Sequence, residues 1–140
     1  MLALAAATAA QDKPAEKPSD ARVLKVKLNY NGAGKVDASH RIFVFLFDSP
    51  VFSENAVPVA MMTAESKDAA VVFSAVPTSP VYALAAFDPK GSYDGQSGPP
   101  PSGSSIGIYV KNASTPEPIN IEPGRTVEIE LTFDDSNQIP

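Results

Sequence analysis

The run Arg41-Ile42-Phe43-Val44-Phe45-Leu46-Phe47-Asp48-Ser49-Pro50 constrains this chain more than any other stretch. From Ile42 to Phe47 every side chain is large and apolar, and β-branched and aromatic types dominate. Such a run suits a strand covered on both faces. Side chains alternate along a strand, so Ile42, Val44 and Leu46 are predicted to face one layer, and Phe43, Phe45 and Phe47 the other. A helix is disfavoured because the run is short and Asp48-Ser49-Pro50 stops it at once. The chain is therefore read as a β-domain with this strand at its centre.

The remaining apolar runs agree with that class. Val23 to Tyr30 alternates Leu24, Val26, Leu28 and Tyr30 with Lys25, Lys27 and Asn29, which predicts a strand with one wet face. The lysines would also protect it at a sheet edge. Val57 to Thr63 predicts a weaker strand, held to an edge by Pro58, which has no N–H for a ladder. Val71 to Val76, Val81 to Phe87 and Ile106 to Val110 are predicted strands, the second of them central. Ile119 to Glu122, Pro123-Gly124 and Arg125 to Phe133 read as a hairpin, its second arm alternating Val127, Ile129, Leu131 and Phe133 with polar residues. No stretch has the length and period of an amphipathic helix. The pattern predicts a single antiparallel Greek-key sandwich of about seven or eight strands, transthyretin-like or immunoglobulin-like. It should occupy residues 23–135, after a disordered linker at 11–22 and before a polar tail at 136–140.

Composition narrows the function classes. The 140 residues suffice for one domain with its own core, and the absence of cysteine excludes disulfides and thiolate metal sites. The formal charge of −5, with no basic cluster, argues against nucleic acid and anionic membrane as partners. Residues 1–10, Met-Leu-Ala-Leu-Ala-Ala-Ala-Thr-Ala-Ala, resemble the end of a signal peptide with an Ala-x-Ala cleavage pattern. The run is too short to span a bilayer and lacks a basic n-region, so the expectation is a residual signal peptide on an exported protein. Export points to the periplasm, cell surface or secreted fraction, with a protein or polysaccharide partner there and no membrane insertion.

The order of elements resembles the carboxypeptidase regulatory-like domains. The shared features are the turn Asn31-Gly32-Ala33-Gly34, the strand Val44-Phe45-Leu46-Phe47 and the segment Val72-Phe73-Ser74-Ala75-Val76-Pro77 leading into Val81-Tyr82-Ala83-Leu84. The ending Pro118-Ile119-Asn120-Ile121-Glu122-Pro123-Gly124-Arg125-Thr126-Val127 also fits. Ala69-Ala70 and Thr78-Ser79 stand where that family usually carries glycine. The resemblance implies a seven-stranded transthyretin-like (prealbumin-like) sandwich. It also implies a non-catalytic adhesion or sugar-contacting module of secreted or surface proteins.

Function is expected on the longest interruption, Asp88 to Ser105, because structureless loops beyond ~12–15 residues are uncommon in compact domains and often functional. Tyr93, Gln96, Pro99 and Pro100, with Pro101, are predicted to form a rigid platform for a sugar ring or a polyproline-type ligand. The plainer alternative is that Tyr93 packs back on the sandwich. Asp88 and Asp94 on the same loop, joined by Asp134 and Asp135 after the last strand, offer the hard oxygen ligands that calcium takes. The spacing is not that of an EF-hand, and turns also favour Asp and Gly. His40, the single histidine, has no visible catalytic or metal partner and reads as a loop histidine. Asn112-Ala113-Ser114 matches a glycosylation sequon and is treated as chance in a chain of bacterial style. The leading expectation is a non-catalytic exported binding or structural module, with contacts through loops at one end of the sandwich. A calcium-stabilised, carbohydrate-contacting accessory module is the alternative. A small hydrolase is the third, though no nucleophile and base are legible together.

Overall fold

The computed structural model describes residues 20–53, 55–96, 98–111 and 115–140. The expected signal-peptide remnant, most of the expected linker and the sequon lie outside those residues. Among the described residues the chain is all β, with no helix. The strands are β1 (Val23–Tyr30), β2 (Ile42–Phe47), β3 (Ala60–Ala64), β4 (Ala70–Phe73), β5 (Tyr82–Phe87), β6 (Ser105–Ile108) and β7 (Thr126–Phe133). They form a three-stranded sheet of order β4-β1-β7 and a four-stranded sheet of order β3-β2-β5-β6.

The two sheets share one core. Leu24, Val26 and Leu28 of β1 meet Ile42, Val44 and Leu46 of β2 and Leu131 and Phe133 of β7 in a single buried cluster, a sandwich-like arrangement. Burying each such Leu, Ile, Val or Phe stabilises the fold by roughly 1.5–3 kcal/mol. The other face of β2 is also covered. Phe43 and Phe45 join Leu84 and Ala86 in a second buried cluster, with Phe47, Phe52, Met61, Tyr93, Ile106 and Ile108 packed against it. The two-sided burial expected of Ile42 to Phe47 is thus met, with β2 between β3 and β5.

The β1 strand is central in its sheet, and its wet face, as expected, carries Lys25, which lies opposite Glu128 at 3.3 Å. Several expectations require correction. The predicted hairpin does not form. Ile119 makes only an isolated bridge to Val81, and Thr126–Phe133 pairs with β1. Pro118 and Pro123 bracket the first arm and cannot donate to a ladder, while Ile119 and Ile121 are both buried in the core. The β1–β7 pair is parallel over its whole length, so the sandwich is not purely antiparallel. The third strand begins at Ala60, after Pro58, and does lie at an edge. The fourth stops at Phe73, although Val76 is still buried.

The expected polar tail follows the sheet. Ile106 N–H donates to Asn137 O (2.9 Å), Ile139 N–H to Ser104 O (2.9 Å) and Gly103 N–H to Ile139 O (2.8 Å). Ser105 and Gln138 form an antiparallel bridge. The chain therefore leaves β7 in one sheet and runs beside β6 in the other. Asp135 fastens the crossing: its carboxylate accepts Tyr30 Oη–H (2.5 Å), Ser105 Oγ–H (2.7 Å) and the Ala33 amide (2.8 Å). Those three donors hold the Asp135 carboxyl below the usual carboxylate range, the Tyr30 bond contributing most.

Candidate functional site

The loop after β5 is organised by its first residue. Asp88 is 3% exposed, and burial alone would disfavour its charge. Four donors reverse that. Lys90 N–H reaches Oδ1 at 2.9 Å, while Ser92 N–H (2.9 Å), Ser92 Oγ–H (2.9 Å) and Tyr93 N–H (3.0 Å) reach Oδ2. The net effect is a pKa below the usual carboxylate value. Gly91, at φ 70°, lets the backbone pass close to the preceding turn; a Cβ there would lie 2.6 Å from Ser39 O. The loop base is thereby locked against residues 39–40.

Tyr93 turns inward from that base. Its ring meets Phe43 edge-on at 5.0 Å and lies 6.3 Å from Phe45, and its hydroxyl donates to Gly98 O at 2.6 Å. Burial, and then the charge of Asp94, raise its pKa above 10.0. Gly95, at φ 79°, comes close to Met61 and Phe43. Asp94 Oδ1 accepts the Gln96 amide at 2.8 Å, forming a turn at the loop tip. The loop thus lies over the outer face of the four-stranded sheet rather than standing off one end of the sandwich. Tyr93 packs back on Phe43 and Phe45, the plainer of the two arrangements expected for it.

The other wall comes from the turn that leads into β2. Asp37 Oδ1 bonds His40 Nδ1 (2.9 Å) and accepts the Ser39 amide (2.9 Å). The His40 bond first, then the Ser39 amide, pulls the Asp37 carboxyl down. Arg41 follows directly. Its Nε–H donates to Ala38 O at 3.1 Å and sits 3.7 Å from Glu65 Oε2.

Between the walls lies an open cleft of about 420 Å³, lined by residues that include Ser39, Arg41, Phe43, Met61, Thr63, Asp88, Tyr93, Asp94 and Gln96. Phe43, Met61 and Tyr93 supply an apolar surface. Arg41, Asp94, Gln96, Ser39 and Thr63 supply charge and hydrogen-bonding groups. The structure therefore brings together Asp88, Asp94, Tyr93 and Gln96 from the sequence expectations. Pro99 and Pro100 do not line the cleft, and neither do Asp134 and Asp135. Asp134 accepts the Ser136 amide and hydroxyl, and Asp135 is engaged in the crossing described above. Among the described residues no group of three or more His, Cys, Asp or Glu side chains could hold a metal ion.

Sequence reasoning missed Arg41, Met61, Thr63 and Ser39 as neighbours of the loop. The available signal was the outward phase of Phe43 and Phe45. Aromatic side chains on the outer face of a central strand need a cover, and the longest loop is the natural source of one. A comparison with protein-family models, curated proteins and solved structures found no match.

Proposed function

We propose that this chain is a non-catalytic, exported binding module of carboxypeptidase regulatory-like, transthyretin-like Greek-key type, and that it contacts a saccharide through the cleft between the Asp37–Arg41 turn and the Asp88–Gln96 loop. The observation that carries this reading is the composition of the cleft. An apolar surface of Phe43, Met61 and Tyr93 is bordered by Arg41, Asp94 and Gln96, three side chains with planar polar groups. Sugar rings present apolar C–H faces and a rim of hydroxyls, which such a surface complements. The base of the loop is preorganised by the four bonds to Asp88, so little ordering cost falls on binding.

The non-catalytic reading is supported by how the acids near the cleft are used. Asp88 organises the loop base, and Asp37 is engaged with His40 and Ser39. The Ser92 hydroxyl does bond the Asp88 carboxylate, but that carboxylate also accepts three backbone amides and its pKa is lowered, the opposite of what a general base requires. The test is a glycan array followed by titration of the strongest ligand, with Gln96→Ala and Tyr93→Ala as variants. Binding lost in both variants, with folding retained, supports the cleft. An array without ligands, or binding indifferent to both substitutions, refutes it.

A further inference from the structure

The most distinctive group in the cleft is the Arg41 guanidinium. Arginine carries five N–H donors. Among the described residues only its Nε–H has a partner, Ala38 O at 3.1 Å, and the nearby Glu65 carboxylate approaches that same nitrogen at 3.7 Å. The bond fixes the guanidinium beside the cleft and leaves the terminal nitrogens for a ligand. Among the described residues that line the cleft, Arg41 is also the single cation.

We propose that the cleft takes an acidic polysaccharide, one whose sugar rings carry carboxylates, with Arg41 as the residue that selects it. This rests on the saccharide-binding reading above and narrows it. A neutral sugar hydroxyl satisfies one terminal N–H at a time. A carboxylate accepts two parallel, charge-assisted bonds from the same fork. The acids in the cleft set the orientation. Asp88 turns its oxygens to Lys90, Ser92 and Tyr93, and Asp94 sits at the opposite wall in the turn with Gln96. The carboxylate-bearing ring therefore belongs at the Arg41 wall, and the hydroxyl edge of its neighbour belongs at Asp94 and Gln96. The net charge of −5 disfavours the approach of an anion at long range, but at physiological salt that field is screened beyond ~8 Å.

The experiment compares matched ligands by calorimetry on the full chain at physiological salt. Cello-oligosaccharide is paired with its counterpart oxidised to the carboxylate at every primary alcohol, and a neutral galactan oligomer is paired with its oxidised counterpart. At least one oxidised oligomer should bind about tenfold tighter than its neutral twin. Arg41→Gln should erase that preference, weakening the oxidised oligomer about tenfold more than its neutral twin. Arg41→Lys should restore part of it, because charge returns without the fork. Equal affinities within each pair, or a preference that survives Arg41→Gln, overturns the acidic ligand. If Gln96→Ala still weakens neutral-sugar binding in that case, the saccharide reading stands without it. No binding of any oligomer overturns both. Intact folding of the Arg41 variants is checked by their unfolding midpoints, since the side chain is exposed.

Discussion

Replacing Asp88 by Asn tests whether one carboxylate holds the cleft wall in place. The change is nearly isosteric. Asn keeps one carbonyl oxygen, which in the better of its two amide orientations replaces Oδ2 and accepts Ser92 N–H, Ser92 Oγ–H and Tyr93 N–H. Its amide nitrogen then faces Lys90 N–H, which loses its acceptor. One donor left without an acceptor in a part-buried site, plus the loss of charge assistance to the other three bonds, sums to about 2–4 kcal/mol. That is a large share of the roughly 5–15 kcal/mol that stabilises a domain of ordinary size. Urea unfolding at neutral pH should show a lower midpoint with an unchanged slope. Hydrogen exchange should show the Ser92 and Tyr93 amides opening before the β2 amides, since the loop can open locally. The Asp88 pKa is depressed in the fold, so its stabilisation is complete above the unfolded value of about 3.9. It is lost as pH falls through the folded value, and the gap between wild type and Asn should close in that range. A midpoint within about 0.5 kcal/mol of wild type, with both amides still protected, would refute the assignment of Asp88 as the organiser of the loop.

Asp135→Asn should weaken the crossing between sheets, because Tyr30, Ser105 and Ala33 all donate to its carboxylate. A loss of about 1–3 kcal/mol is expected, with the Ile139 and Ile106 amides exchanging faster; unchanged exchange would count against a fastening role. Gly107→Ala should destabilise the fold by about 1–3 kcal/mol, since a Cβ there would run into the Phe133 side chain; circular-dichroism melts report the shift. Calcium is tested by melting in EDTA and in excess calcium. The oxygens of Asp88 and Asp135 already accept protein donors, so the two midpoints should coincide. A rise of several degrees, as a site saturated at ~100 times its dissociation constant would give, would show that an ion replaces those donors.

How much of this was legible in the chain depends on the range of each interaction. The alternation in Val23–Tyr30 and Thr126–Phe133 assigned their wet and dry faces, and the two-faced run at Ile42–Phe47 identified a strand covered on both sides. Pairing was less legible. A strand's period says which side chains are buried but not which strand lies beside it or in which direction. Pro123-Gly124 therefore suggested a hairpin where the chain instead carries β7 to the parallel flank of β1. The loop after Phe87 was recognised from its length, and Tyr93 and Gln96 from their chemistry. Their neighbours were not, because Arg41, Met61 and Thr63 reach the cleft only once β2 and β3 pair, with Thr63 opposite Phe43. Asp135 looked like a possible metal ligand because its donors are remote: Tyr30 and Ala33 precede it by 105 and 102 positions.

The path of the last residues beside β6 has a consequence for how copies of this chain can join. A sheet with two bare edges can accept a neighbour on each and so extend without limit, whereas one with a single bare edge stops at a pair. In the four-stranded sheet, Asn137 and Ile139 occupy the backbone groups at the start of β6, and Glu117 N–H bonds Tyr109 O just beyond its end at 2.9 Å. Among the described residues, the edge left for strand addition in this sheet is that of β3. Edge-to-edge association through this sheet would therefore close as a dimer, and loss of the C-terminal segment would turn a self-limiting contact into one that can propagate.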